Sequence, residues 1–110
     1  MERLRKRKEF LRAARGAKWV TPGLILQCWQ RCDDDFSRIG FTVTKRVGNA
    51  VVRNRVKRRL REVVRQDKAH AQTGFDYVVI GRKSTIERDF SELEKDINSA
   101  FSGIHRKMKR

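Results

Sequence analysis

No apolar run in this sequence approaches the roughly 20 residues that a membrane-spanning helix needs, and the basic N-terminus is not followed by the apolar segment of a secretory signal. A cytosolic chain is expected. Histidine is scarce: His70 falls in a polar connector and His105 near the C-terminus, so a two-histidine nuclease would need two separate segments to converge on one scissile bond. Cysteine is equally scarce. Cys28 and Cys32 lie four residues apart in one expected strand, about 13 Å at the rise of a strand and beyond the roughly 7 Å Cα limit of a disulfide. No CxxC pair or histidine cluster offers zinc its ligands, so both read as reduced packing residues. Acidic residues are short as well, 13 Asp and Glu against 28 Lys and Arg, for a formal net charge of +15. Self-repulsion on that scale opposes compaction unless an anion compensates, and the expected partner is a polyanion.

The charge that is present lies in blocks. Residues 1 to 18 and 45 to 65 together carry 17 basic and three acidic residues, whereas residues 66 to 104 carry five basic and seven acidic. The segment Thr44 to Arg65 holds nine cations and one acid, yet its valines and leucine keep a helical spacing. With Asn49 as N-cap and about 100° per residue, Val52, Val56, Leu60 and Val63 share one stripe. Arg53, Asn54, Lys57, Arg58, Arg61 and Arg65 cover a neighbouring face. A helix buried along that stripe would hold the cations outward as a rigid array. Gly48-Asn49 adds free N–H groups at the positive end of the helix dipole.

Solvated faces usually mix charge signs, and this one does not. Arginine and lysine neutralise phosphates and release counterions, and the planar guanidinium also stacks on bases. Asn54 can donate and accept hydrogen bonds at a base edge or a ribose hydroxyl. The helix is set between two strands of one sheet and cannot project into a major groove, and no helix-turn-helix pattern is present. RNA is therefore the expected ligand.

The remaining elements follow from periodicity. A short helix spans about Arg7 to Ala14 and stops at Gly16. Phe10 is its one large anchor, either docking the helix on the core or stacking on a base. Thr21-Pro22-Gly23 breaks the chain, and Leu24 to Arg31 alternates as a first strand. Asp33, Asp34 and Asp35 lack the ligand spacing and glycine of a calcium loop and the supporting shell of a magnesium site, so they read as a solvated hairpin turn. Arg38 to Thr44 is a second strand, antiparallel to the first. Asp76 to Arg82 is a central strand covered on both sides and parallel to the second. Asp89 and Glu92 have the spacing of a capping box before an amphipathic helix carrying Phe90, Leu93, Ile97 and Ile104. The basic tail, residues 105 to 110, is expected to fray or to touch the partner. The sum is a single domain over residues 1–110, an α/β sandwich of order α-β-β-α-β-α with helices packed on a small mixed sheet.

The run K-R-V-G-N-A-V-V-R-N-R-V-K-R-R-L-R from Lys45 resembles the signature segment of the bacterial ribonuclease P protein family. Arg3-Leu4 and Lys8-Glu9-Phe10 resemble its N-terminal helix, Ile39 to Val43 its second strand, and Asp76 to Lys83 its later strand. The resemblance implies that a large catalytic RNA, using Mg2+, cleaves the 5′ leader from precursor tRNA. The protein then binds that RNA through the signature segment and guides the leader along a cleft between the first helix and the sheet. By position it implies RNA-binding roles for Lys45, Arg46, Asn49, Arg53, Asn54, Arg55, Lys57, Arg58, Arg59 and Arg61, with Arg65 on the same face. Phe10, Gln27, Arg82 and Lys83 are implied at the leader cleft. Many members have a second phenylalanine where this chain has Ala14, so the cleft is expected to be less aromatic. The family also implies a ribosomal-protein-like arrangement with a left-handed β-α-β crossover, against the usual right-handed rule. Two other classes fit the composition: a different basic RNA-binding protein of ribosomal or assembly type, and a stand-alone metal-dependent nuclease built on Asp33 to Asp35.

Overall fold

The computed structural model describes residues 2–66 and 71–109, and the expectation made for His70 lies outside them. The five strands described are β1 Glu2–Arg3, β2 Ala17–Val20, β3 Leu24–Gln30, β4 Arg38–Thr42 and β5 Phe75–Gly81. They form one mixed sheet in the order β1-β4-β5-β3-β2. The helices described are α1 Arg7–Ala14, α2 Ala50–Gln66, α3 Ser84–Glu87 and α4 Phe90–Met108.

Strand alternation sends side chains to opposite faces of this sheet. On one face Leu24, Leu26 and Cys28 of β3 and Tyr77 and Val79 of β5 meet Val56, Leu60 and Val63 of α2 and Leu93, Ile97, Phe101 and Ile104 of α4. Burial pushes the Cys28 thiol up to about 12, with the nearby Asp76 charge adding to it, so Cys28 stays protonated and packs as an apolar side chain. On the other face Val78 packs with Leu4 and Ala13, flanked by half-buried Phe10, Trp29 and Ile80. The expectation that residues 76 to 82 form a central strand covered on both sides therefore holds.

Strand pairing differs from the sequence reading. β3 and β4 run antiparallel to each other, but they are not neighbours: β5 lies between them, antiparallel to β3 and parallel to β4. Asp33 to Asp35 are thus not a hairpin turn. They belong to a connection that carries the chain past the end of β5. The Arg31 side chain donates to the carbonyls of Asp35 (3.1 Å) and Phe36 (2.9 Å), and the Gly74 N–H donates to the Asp35 carbonyl at 2.8 Å. Gly74 has φ of +81°, the left-handed region open to glycine at no steric cost. The apolar run of β5 needs a neighbour on each edge, and alternation in β3 and β4 does not say that β5 separates them.

The hairpin is instead β2–β3. Thr21 Oγ1 donates to the Leu24 carbonyl at 2.8 Å and accepts from the Leu24 N–H at 3.1 Å, so Pro22 sits inside a tight turn rather than ending a segment. β2 and the two-residue β1 were too short to show a period.

Two helix ends also differ. Asp89 is the N-cap of α4, but its side chain makes no capping bond. Glu92 and Asp96 pair with Arg88 instead, at 3.1 and 2.8 Å. The carboxylate that does cap belongs to Glu9, which accepts from the N–H groups of Lys6 (2.9 Å) and Arg5 (3.2 Å) at the start of α1. At the other end of the chain the expected fraying is corrected for residues 105–109, and Arg110 lies outside the described residues. α4 continues to Met108, and His105 is buried. Its Nε2 lies 2.6 Å from the Tyr77 hydroxyl. That hydroxyl also accepts the Gln72 N–H at 2.9 Å. Burial, then the charge of Lys109, lowers the His105 pKa.

Candidate nucleic-acid interface

Asn49 Oδ1 accepts the Val52 N–H at 3.0 Å and its carbonyl accepts the Arg53 N–H at 2.9 Å, so Asn49 caps α2 as the sequence predicts. Lys45–Val47 forms the 3₁₀ turn that leads into it. Val56, Leu60, Val63 and Val64 are buried, while Val52 at the first turn is half-buried. With that stripe locked, Asn54, Arg55, Arg58, Arg61 and Arg65 are exposed, as are Lys45, Arg46 and Asn49. Arg53, Lys57 and Arg59 are half-buried.

The cations are not equivalent. Arg59 turns inward and donates to the carbonyls of Ile86 (2.9 Å) and Arg88 (2.5 Å), tying α2 to the connection between α3 and α4. Arg65 pairs with Glu62 at 2.6 Å. The Arg61 guanidinium lies 5.9 Å from the centre of the Phe41 ring. Lys45, Arg46, Arg55 and Arg58 stand most openly for a phosphate.

The predicted leader residues gather on and around the opposite face of the sheet. A Cβ on Gly40 would come within 2.5 Å of Cε1 and Cζ of Phe10, so the Phe10 ring lies directly on the β4 backbone. Phe10 is half-buried, and both of its expected roles are open to it: the ring docks α1 on β4 at Gly40 and is not fully covered. Gln27, opposite Val78 in the register, and Trp29 share that face. Past Phe10 it continues as half-buried Ile25, Ile80 and Thr42, with Val20 53% exposed. Ala14 is exposed and adds no aromatic. Thr42 pairs with Ile80, so Lys45-Arg46 and Arg82-Lys83 leave the sheet at the same end. There Arg82 donates to the Thr21 carbonyl at 2.6 Å, and Lys83 is exposed.

The sequence profile of the Ribonuclease P family matches residues 1–105. The ribonuclease P protein component of Paramagnetospirillum magneticum is 52% identical, over 94% of this chain and 83% of its own length. That of Gluconacetobacter diazotrophicus is 56% identical, over 86% of this chain and 84% of its own. The chain belongs to the ribonuclease P protein family. The solved ribonuclease P protein of Thermotoga maritima superposes with a TM-score of 0.75 at 32% identity, covering 90% of this chain and 94% of that one. The Staphylococcus aureus protein does so with a TM-score of 0.76 at 25% identity, covering 93% and 94%. A ribonuclease P protein is a component of a ribonucleoprotein endoribonuclease of tRNA processing. No helix among the described residues is long and apolar enough to cross a membrane.

In this ribonuclease P protein one feature of the site escaped the sequence reading. Asp76, with no exposed surface, accepts hydrogen bonds from Arg38 (Nε 2.8 Å, Nη2 2.9 Å), Arg12 (Nη2 3.1 Å) and Arg31. Arg38 also binds Glu9, and Arg12 lies over the Trp29 ring at 5.8 Å. Burial works to raise the Asp76 pKa, but the hydrogen bonds from Arg38, Arg31 and Arg12 outweigh it and hold the carboxyl below its ordinary range. The knot binds α1 to β4, β5 and the end of β3, and so fixes where Phe10 lies. An aspartate opening an otherwise apolar central strand was the available signal. Asp33 is taken up by Arg31 at 3.0 Å, and among the described residues no three of His, Cys, Asp and Glu gather as a metal site.

Proposed function

We propose that this chain is the protein subunit that binds the catalytic RNA of ribonuclease P and the 5′ leader of precursor tRNA, assisting Mg2+-dependent removal of the leader. The observation that carries the reading is the outward set of Lys45, Arg46, Arg55 and Arg58 around a helix whose Val56, Leu60 and Val63 are locked in the core. Such cations neutralise phosphates at fixed positions and release counterions on binding. They offset repulsion between catalytic RNA and substrate, which would otherwise rest on added Mg2+. In this reading Mg2+ is held mainly by the RNA, and the chemistry of cleavage belongs to the RNA. The leader lies along the sheet face beside Phe10, with Gln27 on its floor and Arg82-Lys83 at its end. Stacking on Phe10 is sequence-tolerant because every base has a π-face, which suits a subunit that must accept many leaders.

Precursor tRNA cleavage at low Mg2+ tests this, with the cognate RNA alone, the chain alone and both together. Stimulation by the combination is the expected result. Cleavage by the chain alone would point to the nuclease reading, and no stimulation to a different basic RNA-binding protein.

A further inference from the structure

β1 covers only the first part of β4. Its pairing reaches Ile39, and the last bond across that edge runs from the Leu4 N–H to the Ile39 carbonyl at 2.9 Å. β4 continues to Thr42. The bonds to β1 use the carbonyls of Ser37 and Ile39, so the period of two puts the N–H and C=O of Phe41 on the same edge, one step beyond the last β1 bond. At that point the edge opens into a niche of about 110 Å³ lined by Arg3, Leu4, Phe10, Gly40, Phe41 and Arg61. One aromatic comes from each face of the sheet, Phe10 from α1 and Phe41 from beneath α2. An exposed arginine stands on each side, Arg3 from β1 and Arg61 from α2.

A backbone donor and acceptor without a partner among the described residues, two aromatic edges and two exposed guanidiniums around a small opening match the groups of one unpaired nucleotide. The backbone pair meets a base edge, a ring packs on the base plane, and the arginines meet the flanking phosphates. The niche has no room for a duplex. It adjoins Phe10, so a strand lying on the sheet face beside Phe10 reaches it by turning around the edge of β4. We infer that the open edge of β4 at Phe41 is a subsite for one leader nucleotide, joining the sheet face at Phe10 to the arginine face of α2. This rests on the leader reading above and adds to it a position at which base and phosphate are both held, with Arg61 serving the leader.

The test is an abasic residue walked along the leader of a precursor tRNA, with affinity measured for the complete complex of this chain and its cognate RNA. Mature tRNA and catalytic RNA binding serve as controls. Wild type should show one leader position where loss of the base weakens binding by about tenfold. That penalty should shrink in Arg61→Gln and in Arg3→Gln, because the base is seated only while its flanking phosphates are held, and Arg3→Gln should leave binding of the catalytic RNA alone unchanged. A penalty that persists in both variants overturns the subsite, as does a walk that finds no sensitive position. A loss of catalytic RNA affinity in Arg61→Gln as large as the loss for precursor also overturns it, by returning Arg61 to the RNA anchor. If wild type shows no preference for precursor over mature tRNA, the leader reading itself fails, a result distinct from failure of the subsite.

Discussion

Arg38 of β4 and Asp76 of β5 stand directly opposite in the parallel register and form a two-point pair, Nε to Oδ1 at 2.8 Å and Nη2 to Oδ2 at 2.9 Å. Asp76 also serves Arg12 and the nearly buried Arg31. Asp76→Asn leaves three guanidiniums facing a neutral amide. Removing one partner of a buried pair costs about 3–5 kcal/mol, because the remaining charge is left without compensation. Urea unfolding should show that loss as a lower midpoint with the slope unchanged. A midpoint within error of wild type would mean that water replaces the carboxylate at no cost.

The same carboxylate sets the response to acid. Burial works to raise the Asp76 and Glu9 pKa values, but both are lowered overall, Asp76 by its arginines and Glu9 by the Lys6 and Arg5 N–H groups and the Arg38 charge. Each folded pKa lies below its unfolded value, so each group's contribution is present above the ordinary values of 3.8 and 4.5 and is lost as pH falls through the folded ones. His105 is also lowered, and its contribution is full above pH 6.5 and falls between there and its folded value. Melting temperature against pH should therefore drop in two stages. His105→Gln should flatten the upper one and Asp76→Asn the lower, and a single drop untouched by either variant would refute this assignment.

Gly40 and Phe10 provide a test by displacement. Gly40→Ala puts a methyl group where the Phe10 ring lies, at 2.5 Å, and the ring or α1 must move. Phe10→Ala removes the ring and leaves α1 tied by Arg12. Loss of one base-aromatic stack is worth about 1–3 kcal/mol, so Phe10→Ala should weaken precursor binding roughly 5- to 100-fold and leave mature tRNA unchanged. Gly40→Ala should follow it in direction, with catalytic RNA affinity kept. Equal losses for precursor and mature tRNA would make Phe10 purely a packing residue.

Arg58 and Arg59 are adjacent yet differently engaged. Arg58→Ala should reduce the salt dependence of catalytic RNA binding by about 0.7–0.9 in log–log slope for each phosphate it no longer neutralises, with stability unchanged. Arg59→Ala should lower stability instead, through the two carbonyls it serves. An RNA-binding slope that changes for Arg59 and not Arg58 would reverse these assignments.

The sequence made legible whatever repeats along an element. Val56, Leu60 and Val63 revealed the buried stripe of α2, Asn49 its start, and the apolar run Tyr77-Val78-Val79-Ile80 the doubly covered strand. Pairing between elements was another matter. The insertion of β5 between β3 and β4 depends on pairings some fifty residues apart, which leave no local period. The Asp76 knot draws its arginines from α1, the end of β3 and β4, and single polar residues do not announce their partners. Arg59 looked like Arg58 because both are arginines in one run, and only the position of the α3–α4 connection separates them. The handedness of the β4–α2–β5 crossover had no source but the family resemblance.

The central place of β5 also orders events during synthesis. Of the strands, β5 comes last in the chain, and it pairs with both β3 and β4. Until it emerges only the β2–β3 hairpin and the short β1–β4 pairing can form, and the sheet has no middle. The cationic segments up to Arg65 are made first, before the central strand that completes the sheet beneath them. Non-local pairing of this kind folds slowly, and a chain with apolar strands waiting for their centre is exposed to aggregation in the interval. The cationic segments made first, residues 1 to 18 and 45 to 65 with 17 basic and three acidic residues, oppose association of unfinished copies through mutual repulsion.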